Sequence, residues 1–210
     1  MIIAIDGPAA AGKGTLARRL ANHLGYAYLD TGSLYRAVAV MLLRQNGDPE
    51  DAEAATEAAR TLDLDLLGSP ALRTGEAGAA ASKVAAIPDV RAALKDFQQQ
   101  FATHPPGNAV GAILDGRDIG TVICPDADRK LFVTASVEAR AERRFKELQE
   151  RGEAAIYARV LQNMRERDAR DAGRSDAPMK QADNAILIDT SSMTPDEAFT
   201  AALEVIGGTG

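Results

Sequence analysis

Short apolar runs alternate along the chain with longer segments in which apolar residues recur every three or four positions. A short, nearly continuous apolar run is typical of a strand buried on both faces of a parallel sheet. Apolar residues three or four apart are typical of an amphipathic helix. The alternation therefore predicts an α/β fold, with a parallel sheet covered by helices on both faces.

The pattern places the candidate elements along the chain. The predicted strands cover residues 1–6, 26–29, 109–114, 131–133 and 185–188. The predicted helices cover residues 13–23, 33–44, 50–62, 79–87, 89–103, 136–152, 153–171 and the stretch from 195 onward. Residues 66–78 contain several Gly and Pro residues and receive no assignment.

Composition limits the class of protein. The 210 residues suit one domain, and 46% apolar residues suffice for a core. A net charge of −6 argues against a nucleic acid polymer or an anionic membrane as partner. A single cysteine, Cys124, allows no internal disulfide, which fits a reducing cytoplasm. No Cys/His cluster indicates a metal site.

A phosphate-binding loop is predicted between the first strand and the first helix. Small residues let a backbone wrap closely round an anion, and a helix N-terminus and a lysine supply positive charge. The loop residues are Gly7, Pro8, Ala9, Ala10, Ala11, Gly12, Lys13, Gly14 and Thr15. Gly-Lys-Gly-Thr displaces the hydroxyl by one position, the form found in nucleoside monophosphate kinases. The alternative is a plain glycine turn with a solvated Lys13.

Charged groups follow three of the apolar runs, in residues 6–13, 30–36 and 115–118. Ligands bind at the carboxyl ends of parallel strands, so these groups should converge on one cleft. Arg36 could reach a second anion, or it could be solvated beside an ordinary helix N-cap. Asp115 could hold a metal or its waters and Asp118 could accept hydrogen bonds, or both could form an ion-pair knot with Arg117.

A helical stripe near residues 153–174 changes from apolar to charged. Ile156, Val160 and Met164 are continued by Arg167 and Asp171, with Arg170 and Arg174 beside them. Charges that continue a buried face need an anion or counter-ions. The alternative is an exposed helix with internal ion pairs, for instance from Asp168 to nearby arginines.

Phosphoryl transfer explains the three groups together. Catalysis of that reaction is mainly positioning and cationic stabilisation, and several arginines, some on a closing lid, can hold two repelling anions. A phosphate acceptor needs no strong base. Two alternatives stay open: a P-loop kinase with UMP, another NMP or a small hydroxyl compound as acceptor, and a nucleotide-dependent switch, for which the guanine-reading Asn-Lys-x-Asp segment is absent.

The segments IDGPAAAGKGT, LDTGSLYR, ASKVAAIPDVRAAL, DGRDIGT, PDA and RERDARDAGR resemble those of bacterial cytidylate kinases, which are nucleoside monophosphate kinases. With their flanks they cover most of the chain. The resemblance implies a monomeric, cytoplasmic P-loop enzyme of pyrimidine nucleotide metabolism, a transferase that phosphorylates CMP and dCMP with ATP.

The resemblance also implies roles for individual residues. ATP lies over residues 7–15 with Mg²⁺ bridging its phosphates, and Thr15 is the one residue considered for contact with the metal. The catalytic residues are Lys13, Arg117, Arg167 and Arg170. The CMP-binding residues are Thr31, Tyr35, Arg36, Ser82, Arg91, Asp115, Arg117, Asp118, Arg167, Asp171 and Arg174. Within that set, the acceptor phosphate is bound by Arg36, Arg117 and Arg167. The base is recognised by Ser82, Arg91 and Asp118, with Thr31 and Arg174 close by. The sugar lies beside Asp171 and Tyr35.

The same resemblance divides the single domain, residues 1–210, into three parts. The core comprises residues 1–35, 105–150 and 180–210. A helical acceptor-binding insert spans 36–104, and a mobile lid spans 152–175. The insert is short near residues 66–69, where the family usually has additional strands.

Overall fold

The five predicted strands form one parallel sheet. The computed structural model describes residues 1–207 and contains β1 (Ile2–Asp6), β2 (Ala27–Asp30), β3 (Ala112–Gly116), β4 (Arg129–Thr134) and β5 (Ile186–Asp189). The strand order is β2-β3-β1-β4-β5, and every neighbouring pair is parallel. The predicted fold class, an α/β parallel sheet of the P-loop type flanked by helices, is confirmed.

Helices cover both faces of this sheet. They are α1 (Lys13–Leu24), α2 (Thr31–Arg44), α3 (Ala52–Arg60), α4 (Gly75–Val84), α5 (Pro88–Thr103), α6 (Val137–Glu150), α7 (Tyr157–Ala172) and α8 (Pro195–Gly207). Ile3 and Ile5 of β1 pack toward α1 and α8, whereas Ala4 packs on the opposite face toward α5. This alternation explains why β1 is apolar on both sides.

Helices α2, α3, α4 and α5 pack around a second core, beside the sheet. Leu34 and Val38 of α2 meet Val84 of α4 and Leu94 of α5 there. Residues 36–104 are all described and contain no strand. Two short 3₁₀ helices, Leu64–Gly68 and Pro70–Arg73, occupy most of the first part of the stretch 66–78, to which the sequence pattern assigns no element, and α4 begins within that stretch at Gly75. The insert is therefore helical, as predicted.

Three predicted elements have wrong boundaries. The helix predicted over 79–87 is α4, Gly75–Val84, because Thr74 caps its start by accepting a hydrogen bond from the Ala77 N–H. The strand predicted from residue 109 begins at Ala112, because its pairing with β1 starts at Ile2, and Val110 is 77% exposed before it. Ile156 is 57% exposed instead of buried. It precedes α7 in an extended conformation, so the buried stripe begins at Val160 and continues at Met164.

The register of the sheet places its polar strand ends side by side. Asp6 of β1 is level with Gly116 of β3, and Asp30 of β2 is level with Asp115. The charged groups at residues 30–36 and 115–118 therefore meet at one edge of the sheet, next to the loop that follows β1. None of the helices formed by residues 1–207 combines the length and apolar character of a membrane span.

Candidate active site

The phosphate loop is shaped by two glycines, Gly7 and Gly12, whose positive φ angles would strain any other residue. Gly7 has φ +138°, and a Cβ there would lie 2.0 Å from the carbonyl oxygen of Val133. Gly12, with φ +87°, precedes the first turn of α1. A Cβ at Gly14 would lie 3.3 Å from Asp115 Oδ2. The loop therefore approaches β4 and the end of β3 closely, which accounts for glycine after the lysine.

Lys13 is buried inside this loop, so the alternative of a solvated lysine is wrong. Its side chain donates a hydrogen bond from Nζ to the carbonyl oxygen of Pro8 at 2.8 Å. Burial, followed by the positive charge of Arg117, lowers the pKa of Lys13 to about 7. A buried cation with a lowered pKa is stabilised when an anion arrives, which suits a phosphate-binding role.

Asp115 lies against the loop at the end of β3. Its Oδ2 accepts a hydrogen bond from the Tyr28 hydroxyl at 3.0 Å, and its carbonyl oxygen accepts one from Thr31 Oγ1 at 2.8 Å. Burial raises the pKa of the Asp115 carboxyl, and the charge of Lys13 opposes that effect. Thr31 thereby ties the start of α2 to the end of β3.

Asp6 has a structural role, because its carboxylate binds backbone N–H groups of the turn after β3. Its carboxylate accepts backbone N–H bonds from Ile119 at 2.8 Å and Gly120 at 2.7 Å, in the turn after β3. Burial raises its pKa to about 6, although these two hydrogen bonds favour the ionised form. The expectation that Asp6 joins the cleft is therefore replaced by a role in holding the turn that carries Asp118.

Asp171 is the centre of a cluster of arginines. Its carboxylate accepts a hydrogen bond from Arg117 Nε at 3.0 Å and one from Arg174 at 2.5 Å, and Arg167 Nε lies 4.0 Å away. Burial alone would raise the pKa of Asp171, but the three guanidiniums hold it below its usual value. Burial, followed by Arg117, lowers the pKa of Arg167 to about 10. Three cations share one carboxylate, so an anionic ligand can supply the missing negative charge.

Asp118 and Arg91 form a buried ion pair beneath the insert. The Arg91 guanidinium also lies 5.7 Å from the centre of the Tyr35 ring and 3.4 Å from Asp176. Burial raises the pKa of Asp118, and Arg91 counteracts this. The predicted knot of Arg117 with Asp115 and Asp118 does not form, because Arg117 donates to Asp171 instead.

Two further predicted arginines also have polar partners. Arg36 pairs with Asp30 at the end of β2, and its charge contributes to the lowered pKa of Arg167. Arg170 Nη1 donates to Ser82 Oγ at 2.9 Å, which joins α7 to α4. The alternatives of a solvated Arg36 and of an outward-facing charged stripe on α7 are both wrong.

The structure thus brings most of the predicted residues to one cleft between the loop, the insert and α7. The charges of Arg117 and Arg167 contribute to the lowered pKa of Lys13, and those of Arg117 and Arg36 contribute to the lowered pKa of Arg167. Thr15 is exposed in the first turn of α1. Among residues 1–207, no group of three His, Cys, Asp or Glu side chains is arranged to hold a metal.

Sequence reasoning did not identify three residues that support the site: Tyr28, Arg140 and Thr190. Arg140 of α6 and Thr190 after β5 donate to the carbonyl oxygens of Ala9 and Ala11 in the loop. The available signal for Arg140 was a charged residue between Val137 and Ala141 on the inward face of α6, the same signal that marked Arg167.

The chain is similar in sequence to a family of kinases along nearly its whole length. A family model described as cytidylate kinase matches residues 3–207. Curated proteins named cytidylate kinase are 61% identical over 206 residues in Rhodospirillum rubrum and 63% identical in Paramagnetospirillum magneticum; each alignment covers 98% of this chain and 97% of the relative. A solved structure of an uncharacterized protein from Eubacterium ventriosum has a TM-score of 0.58 at 14% identity, covering 100% of this chain and 99% of that one, which is a likeness of fold.

Proposed function

The chain belongs to the cytidylate kinase family, and we propose how its cleft transfers a phosphoryl group from ATP to CMP and dCMP. The observation that carries the proposal is the buried cluster in which Arg117, Arg167 and Arg174 share the single carboxylate of Asp171. Arg117 and Arg167 also lie close enough to Lys13 of the phosphate loop for their charges to contribute to its lowered pKa. Such an excess of buried positive charge is stable only when anions complete it.

ATP binds with its phosphates over residues 7–15, where the loop N–H groups and the start of α1 supply positive potential. Lys13 is held by the Pro8 carbonyl until the phosphates draw its ammonium toward them. The anions raise its pKa again, so the bound lysine is fully charged.

CMP binds on the other side of the cleft. Its phosphate is taken by Arg36, Arg117 and Arg167, and its sugar lies by Asp171 and Tyr35. Asp118 accepts from the amino group of cytosine, which uracil lacks. Four more residues lie around the base together with Asp118: Ser82, Arg91, Thr31 and Arg174. Asp115 borders the CMP site on the side of the phosphate loop.

Transfer requires alignment and charge stabilisation. The transferred group carries its negative charge on three oxygens, and Lys13, Arg117, Arg167 and Arg170 lie where fixed cations stabilise that charge. An ionised acceptor phosphate attacks without a base. A hydroxyl acceptor would need one, and Asp118 is poorly suited to that work because it is paired with Arg91.

The oxygen ligands beside the phosphate loop, at the carboxyl end of β3, are of the kind that Mg²⁺ prefers. Magnesium prefers one or two oxygen ligands from the protein together with substrate phosphates and waters. The Thr15 hydroxyl, next to Gly14 in the sequence, and the Asp115 carboxylate, whose Oδ2 lies beside Gly14, would hold it. When bound, the ion neutralises charge on the phosphates.

An assay with purified protein tests the function. Turnover of ATP with CMP and dCMP is expected to exceed turnover with UMP and AMP, and a Lys13→Ala variant should lose turnover by orders of magnitude while keeping its fold. Equal turnover with all four acceptors would contradict the assignment of Asp118. Unaltered turnover in the Lys13→Ala variant would contradict that of the loop.

The division of the chain follows the same proposal. Residues 36–104 bind the acceptor and residues 152–175 close over both nucleotides, while the remainder is the core. The enzyme acts as a monomer in the cytoplasm, because the cleft is built by one chain and the reaction consumes ATP. Light scattering after gel filtration is expected to give a mass near 22.1 kDa, and twice that mass would contradict the monomer.

A further inference from the structure

Arg140 connects two parts of the cleft without belonging to either. It lies on α6 and its side chain is only 5% exposed. Its Nη1 is 3.3 Å from the carbonyl oxygen of Ala9 in the phosphate loop, and its Nε donates to the carbonyl oxygen of Ala135 at 2.9 Å. These two hydrogen bonds hold the guanidinium next to the phosphate loop, on the side of α6.

The same guanidinium also binds a carboxylate on α7. Nη1 and Nη2 of Arg140 donate to Oδ1 and Oδ2 of Asp168 at 3.0 and 2.6 Å. A two-bond arginine–carboxylate contact is both strong and directional. Asp168 directly follows Arg167 and lies one turn from Asp171, so the position of this carboxylate sets the position of the arginine cluster.

We propose that Arg140 and Asp168 form a positioning pair that couples the binding of ATP to the binding of CMP, an inference that rests on the function proposed above. ATP fixes the loop and with it the Ala9 carbonyl. Arg140 then holds α7 in the position in which Arg167 and Asp171 receive CMP. Because coupling between two binding sites is reciprocal, CMP favours the ATP-binding form of the loop to the same degree.

Simple helix packing does not account for the pair. Helices α6 and α7 are already joined by a perpendicular ring contact between Phe145 and Tyr157 and by an exposed ion pair between Arg165 and Glu138 at 3.3 Å. Neither contact reaches the phosphate loop. Glu138→Gln is therefore a matched control, because it breaks an ion pair between the same helices away from the loop.

The test measures the dissociation constant of CMP by calorimetry, with and without saturating magnesium and a non-hydrolysable ATP analogue. The ratio of the two constants is the coupling factor, which typically lies between about 5 and 150 for coupled sites. Asp168→Asn is expected to reduce this factor at least about threefold toward one. The same variant should change the CMP constant measured alone by a smaller factor. Arg140→Lys should act similarly, because lysine cannot contact both carboxylate oxygens and the loop.

Loss of one partner leaves a buried charge and can unfold the chain. The double variant Arg140→Met with Asp168→Asn removes both charges at similar volume, so it keeps the test available, and thermal melting checks each variant. The double variant should show the same low coupling factor as the single variants.

The proposal is overturned if the factor of the wild-type protein is one, if the variants keep the wild-type factor, or if Glu138→Gln lowers it equally. The proposal is also overturned if Arg140→Lys binds the ATP analogue more weakly while Asp168→Asn keeps the wild-type coupling factor. Arg140 would then act only on ATP binding. Failure of the wild-type protein to phosphorylate CMP would instead contradict the proposed function.

Discussion

At the scale of single residues, the site depends on charges that are buried before any nucleotide binds. Lys13, Arg91, Arg174 and Asp171 are all largely shielded from water, and each has an opposite charge or a carbonyl oxygen beside it. Buried charges are costly unless they are paired. Their arrangement keeps the cations oriented toward the cleft, so little reorganisation is needed when phosphates arrive.

The lowered pKa of Lys13 predicts proton uptake when ATP binds. With a pKa of about 7, roughly three-quarters of the Lys13 amines are neutral at pH 7.5, and the arriving anion raises the pKa so that most of them gain a proton. Calorimetry in two buffers of different ionisation enthalpy measures this uptake. The Lys13→Met variant subtracts any proton taken up by the nucleotide itself, and equal uptake in both proteins would contradict the prediction.

Asp118 is predicted to discriminate by base. Asp118→Asn keeps the shape but removes the charge that accepts from the cytosine amino group, so we expect the dissociation constant of CMP to rise about tenfold, equal to about 1.4 kcal/mol. The constant of ATP should change less than twofold. Fluorescence titration with each nucleotide measures both values, and Asp96→Asn, on the exposed side of α5, serves as the control. Similar weakening of both nucleotides would mean that Asp118 does not face the base.

At the scale of elements, the turn between β1 and α1 is the most constrained part of the chain. Gly7 must pass beside the carbonyl oxygen of Val133 in β4, and Gly12 must start α1 with a positive φ. The two glycines differ in their surroundings, because a Cβ at Gly12 would meet nothing within 4 Å. The loop is therefore fixed by contact with the sheet at its start and by backbone conformation at its end.

This difference predicts unequal costs for two alanine substitutions. Gly7→Ala combines an unfavourable φ with a backbone collision and should lower the free energy of unfolding by about 3 kcal/mol or more. Gly12→Ala meets only the conformational cost, about 1–2 kcal/mol. Urea denaturation measures both values. Equal losses would show that the close approach to Val133 is relieved without cost.

At the scale of the whole molecule, the cleft has three walls that come from distant parts of the chain. The phosphate loop follows β1 of the sheet, Ser82 and Arg91 belong to the insert, and α7 carries Arg167 and Arg170. The contact of Arg170 with Ser82 and the pair of Arg91 with Asp118 already bridge these walls. Closure around two nucleotides can therefore proceed by small shifts of packed helices.

Closure predicts a pattern of hydrogen exchange. Addition of CMP with a non-hydrolysable ATP analogue should slow amide exchange in residues 75–91 and 152–175 more than either nucleotide does alone, because only both anions together neutralise the cluster. Helix α8, on the far side of β1, provides the internal reference. Protection confined to residues 7–15 would contradict a closing lid.

Much of the fold follows from local sequence. The apolar runs predict β1, β2, β4 and β5 within a few residues, since strands buried on both faces leave a continuous apolar signal. The starts of β3 and of α7 are predicted less well, because pairing with β1 and the exposure of Ile156 are decided by neighbours that are distant in sequence.

The sequence by itself determined the α/β class and indicated the phosphate loop and most of the residues that the structure brings together, because strand composition, glycine spacing and charged residues on a buried face are local properties. Only the tertiary structure decided which charges are partners. Asp171 gathers Arg117 and Arg174, Asp118 takes Arg91, and Asp6 turns away to hold backbone N–H groups. The reason is physical: an ion pair depends on distances between side chains of separate elements, and the sheet register and helix packing set those distances.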